Sequence, residues 1–165
     1  MLPLTLAAAQ KLSDLLTTGN ALQQQIGAVA SAANVLVPLI TTGQVVLSST
    51  VPDLGDKDLQ LTYPRVCLYT ATVKNTQIEK FRSLSGTIVV IAEIWASGDL
   101  LDETDRWIHY YVEAVTNVLR ANIGDWGNGV FFSGAYDVQL QSPKVGGRGY
   151  VESAKVSAVL NVSRN

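Results

Sequence analysis

The chain has 165 residues, which suits one domain and is long enough to hold a core without disulfides or metal. Hydrophobic residues make up 47% and charged residues 16%, which excludes a disordered chain and hints at apolar surface that an oligomer would cover. The net charge of -2 is spread over interspersed signs with no run of Lys or Arg, so neither phosphate-tracking nor sequence-specific nucleic-acid binding is expected.

The single cysteine, Cys67, excludes a disulfide framework within the chain. The first nine residues lack the basic start and the apolar length of a secretory signal. The apolar stretch 26–40 is too short for a bilayer and contains Asn34 and Pro38. A soluble protein with no membrane partner is expected.

The first forty residues carry helical periodicity. Leu4, Ala8, Leu12, Leu15 and Leu16 form one stripe, with Pro3 suited to the first turn. Thr17, Thr18 and Gly19 interrupt it. Asn20 then offers an N-cap, with Gln23 placed to reach back to it. Leu22, Ile26, Val29, Ala30, Ala33, Leu36 and Val37 continue as one face that Pro38 should close.

Residues 45–47 are a short β-prone run. Residues 51–63 are polar, with Pro52, Gly55 and the acids Asp53, Asp56 and Asp58, and are expected to form an exposed excursion. Residues 65–73 and 86–95 read as strands apolar on both faces. In the second, Ile88, Val90, Ala92 and Ile94 oppose Val89, Ile91 and Trp95. Such strands belong inside a sheet covered on both sides, and a small domain can gain the second cover by self-association.

Asp99 is placed to cap a helix whose packing face is Trp107, Tyr111, Ala114, Val115 and Val118, with Arg120 and Gly124 at its end. After a glycine-rich turn over 124–134, Tyr136, Val138 and Leu140 alternate with polar residues. Ala154, Val156, Ala158, Leu160 and Val162 do the same, and residues 142–149 join the two strands as a long hairpin. The predicted fold is α+β, an antiparallel sheet with helices packed against it. Residues 1–42 form an N-terminal helical segment, and 43–165 the α+β domain.

Few residues suggest chemistry. His109, the single histidine, falls on the solvent side of its helix, away from any nucleophile and carboxylate pair. One Cys and one His far apart do not make a zinc site. Asp53, Asp56 and Asp58 lack the glycine position and terminal glutamate of a calcium loop. The glycines around Arg148 lead into a strand rather than a helix, so they are turn residues rather than a phosphate cradle. A carboxylate pair could still form in space, but nothing selects one. No catalytic residue, metal or cofactor is expected.

The order and character of the second half resemble a known family. The segment YPRVCLYTATV (63–73) is followed by a loop ending FRSLSG (81–86), then the apolar strand IVVIAEIW and the helix DETDRWIHYYVEAVTNVLRA. The chain closes with GRGYVESAKVSAVLNV. Over residues 63–162 the chain resembles the tail-terminator and head–tail joining (neck) proteins of tailed bacteriophages. That resemblance implies a non-enzymatic structural protein of the virion, a homo-oligomeric ring, commonly of six subunits, assembled in the host cytoplasm and located at the tail–neck junction. The tail tube protein, the head–tail connector protein and the tail sheath are the implied neighbours. A different class, a monomeric or dimeric module holding a small apolar ligand between sheet and helices, is the alternative.

One contact is expected on residue grounds. Residues 74–85 join the two most apolar strands and are mostly polar, yet Ile78 and Phe81 stand among them at helical spacing. Either they fold back over the sheet edge, or Phe81 anchors in a neighbouring chain while Lys80 and Arg82 meet acids on its rim. Arg148, in the glycine-rich turn, is a further interface candidate.

Overall fold

A computed structural model of the chain describes residues 2–48, 62–76, 80–146 and 149–165. The acids Asp53, Asp56 and Asp58, together with Ile78 and Arg148, lie outside the described residues.

Helix α1 (Leu4–Thr17) starts after Pro3, whose carbonyl accepts the Ala7 N–H at 2.9 Å. It buries the expected stripe through Ala8, Leu12 and Leu16. A single 3-10 turn, Thr18–Asn20, leads into α2 (Ala21–Ala33). Asn20 holds the N-cap position its residue type suggested, without the expected side-chain bond. It adopts a left-handed conformation (φ 57°) beside Gly19 (φ 60°). A tight reversal needs two positive φ values there, and Asn tolerates one of them at little cost.

Helix α2 also stops well before Pro38. Asn34 takes a left-handed C-terminal position, and its N–H reaches the carbonyls of Ala30 and Ser31. The chain beyond is extended, so Leu36 leaves the helical face and is 96% exposed while Ile40 is buried. This leg is tied down by the Tyr111 hydroxyl, which donates to the Pro38 carbonyl at 2.7 Å.

Seven strands form one sheet among the described residues: β1 (Val45–Leu47), β2 (Arg65–Asn75), β3 (Leu84–Gly98), β4 (Gly124–Gly127), β5 (Val130–Leu140), β6 (Lys144–Gly146) and β7 (Gly149–Arg164). Their order is β1-β2-β3-β7-β5-β4, with β6 pairing β7. The sheet is mixed rather than purely antiparallel, because β1 lies parallel to β2, with Val45 opposite Val66 and Leu47 opposite Leu68. Residues 48–64 separate the two strands, which is the length a parallel return requires, whereas a short turn would have forced an antiparallel pair.

The expected glycine-rich turn over 124–134 is shorter. Trp126, Val130 and Phe132 are buried, so β4 and β5 form within it and leave a tight turn at Gly127, Asn128 and Gly129, all at positive φ. Helix α3 (Leu101–Ala121) crosses the sheet, burying Ile108, Tyr111, Ala114, Val115, Val118 and Leu119. Its N-cap position is Leu100 and not Asp99, and the Thr104 hydroxyl donates back to the Leu100 carbonyl at 2.8 Å. Asp102 and Glu103 still occupy the first turn and Arg120 the last, as the helix dipole favours.

A single cluster of buried side chains joins α1, α2 and α3 to the inner sheet face. It contains Val66 and Leu68, the row from Ile88 to Ala96, and the five alternating residues Ala154 to Val162. The α+β class is therefore as read from the sequence.

Candidate functional site

The second face of the sheet carries its own register of side chains. Arg65, Trp95 and Ser153 stand side by side, then Cys67, Glu93 and Lys155, then Tyr69, Ile91 and Ser157. Cys67, Trp95 and Val151 are buried in a small cluster with Val46 and Tyr63 packed against it. Glu93 is buried among them, accepting the Tyr69 hydroxyl at 3.0 Å and facing Lys155 Nζ at 4.0 Å. The apolar run IVVIAEIW had concealed this acid. A single charge in a strand apolar on both faces is a signal that could have marked it.

The environment shifts several groups. Burial pushes the Tyr69 phenol up to about 12, and the Glu93 charge adds to the effect. Burial likewise raises the Cys67 thiol while the neighbouring Arg65 opposes the rise, so this cysteine is a packed side chain and not an activated nucleophile. Two buried donors on this face, Arg65 Nε and Trp95 Nε1, have no acceptor among the described residues. On the opposite face, Glu152 is buried where β7 meets the start of α3. Burial, the Asp105 hydrogen bond and the Asp105 charge push its carboxyl up to about 7.

His109 is exposed on α3. No three His, Cys, Asp or Glu side chains converge on a metal-sized site among the described residues. No helix among them is long and apolar enough to cross a membrane.

Two concave surfaces stand out. One lies between α1 and the β4–β5 turn, lined by Leu2, Ala8, Lys11, Trp126 and Val130 among others. The second is a groove between the extended leg after α2 and the start of α3, lined by Val35, Leu36, Glu103, Arg106, Trp107 and Tyr110. Leu36, expected on a buried helical face, is exposed at this groove, whereas Trp107 packs against the core as expected and also borders the groove.

At the other end of β3, Phe81 is 93% exposed and holds φ at 74°, a conformation that bulky residues seldom adopt. Its neighbours Lys80 and Arg82 are exposed as well. Of the five interface candidates from the sequence, these three are thus brought together at one tip. The adjoining Ser83 N–H is held by the Arg164 carbonyl at 2.9 Å, so the tip is anchored to the end of β7.

No family model matches the chain, and no curated protein matches it.

Proposed function

We propose that this chain is a structural protein of a phage virion that assembles with copies of itself into a ring, capping the tail tube and joining the tail to the head connector. The observation that carries the reading is Phe81, a large aromatic ring presented to solvent at a strained backbone position between two cations. Aromatic anchors flanked by charge are the usual centre and rim of a protein–protein contact. Strain of this kind persists where the surroundings enforce it and gathers at functional positions. The resemblance of residues 63–162 to tail-terminator and neck proteins supports this kind of assembly. Multi-angle light scattering and negative-stain microscopy test it: a ring of several copies supports the reading, and a monomer at every concentration overturns it.

The groove beside α1, with Trp126 at its wall, favours the second reading, a module that holds a small apolar ligand. A chain that stays small and is stabilised on heating by an apolar probe such as anilinonaphthalene sulfonate would support that reading instead.

A further inference from the structure

The β2–β3 tip and the α2–α3 groove lie at opposite ends of the molecule. Strand β3 runs from Leu84, next to the tip, to Gly98, where the ring of Trp107 rests at the groove. At about 3.3 Å per residue, that strand sets the two surfaces roughly 45 Å apart. Phe81 cannot reach the groove of its own chain.

The two surfaces also match in chemistry. The groove has an aromatic wall, Trp107 and Tyr110, and an exposed aliphatic lip, Leu36. Its rim is acidic. Glu103 is the acid that lines it and is exposed, while the guanidinium beside it, Arg106, is paired with Asp102 at 3.4 Å. Glu103 makes no ion pair among the described residues. The tip offers the converse, an exposed aromatic ring preceded by Lys80, with Lys74 exposed on the adjoining strand.

We infer that the occupant of the groove is a second copy of this chain. Phe81 of one subunit inserts between Leu36 and the Trp107–Tyr110 wall of the next, and Lys80 meets Glu103. This inference rests on the assembly reading above and names its contact. Because the two patches differ and sit at opposite ends, the contact is heterologous. Repeated head to tail, it produces a closed ring if the rotation closes and a filament if it does not.

The test uses residues whose substitution leaves the core untouched. Phe81→Asp and Leu36→Asp change side chains that are almost wholly exposed, so the circular dichroism of each variant should match wild type and each should still melt cooperatively. Each should lose assembly and scatter light with the mass of one chain. A chain carrying both Phe81→Cys and Leu36→Cys should, on mild oxidation, give a ladder of covalent oligomers on a non-reducing gel. Each single-cysteine variant should give none. The native Cys67 is buried and does not interfere. A wild-type protein that is itself monomeric would overturn the assembly reading and this contact together. A wild-type ring that survives Phe81→Asp or Leu36→Asp, or a covalent dimer from Phe81→Cys alone, would overturn the contact and leave the ring standing.

Discussion

The indole of Trp107 packs against the backbone of Gly98. A Cβ placed on that glycine would lie 2.9 Å from Trp107 Cζ3 and 2.6 Å from Thr104 Oγ1. Thr104 is completely buried, and it is held in place by its hydrogen bond to the Leu100 carbonyl. The junction between β3 and α3 is thus closed by a contact that only glycine permits. Gly98→Ala should cost about 1–3 kcal/mol, the usual range for overpacking. The check is a thermal melt followed by tryptophan fluorescence, in which an unchanged midpoint would contradict the packing described.

Glu152 makes stability depend on pH in a defined direction. Its carboxyl titrates near 7 in the folded chain against an ordinary value of 4.5, so the folded state holds the proton more tightly than the unfolded one. The associated stability is fully present below about pH 4.5. It is lost as the pH rises through the folded value and is level above it. Glu152→Gln, which cannot ionise, should remove that part of the slope between pH 4.5 and 7. Parallel urea titrations of variant and wild type across the window measure the difference, and two curves of equal slope would show that burial beside Asp105 does not raise the Glu152 carboxyl.

Val115 and His109 separate the two sides of α3. Val115 is completely buried, so Val115→Asp places a charge in an apolar core without a partner and should unfold the domain. His109 is exposed, and His109→Ala should shift stability by less than about 0.5 kcal/mol. Denaturant melts of the two rank them, and a larger loss for the histidine variant would reverse the face assignment.

Tyr111 holds the leg that forms the lip of the groove. Tyr111→Phe keeps the ring but leaves the Pro38 carbonyl without its 2.7 Å donor, at a cost of about 1–2 kcal/mol. Amide exchange at residues 35–40 should quicken more than at the core of α3. Equal quickening in both places would mean that the hydroxyl does not tether the leg specifically.

What the sequence by itself determined is what short-range periodicity can encode. The alternation from Ala154 to Val162 gave the buried face of β7, and the spacing Tyr111, Ala114, Val115 and Val118 gave the buried face of α3, because side-chain direction follows the local backbone period. Tertiary structure decided the rest. Asn20 and Asn34 were each open to several local roles, and the path of the chain put both in left-handed positions, which ended α2 early and turned Leu36 outward. The parallel seat of β1 and the approach of Glu152 to Asp105 depend on contacts between segments far apart in the chain. The same is true of the groove, where Leu36 and Trp107 face one surface from two separate elements. No local period records such meetings: they are settled by which pairing buries the most apolar surface while leaving the fewest polar groups unpaired.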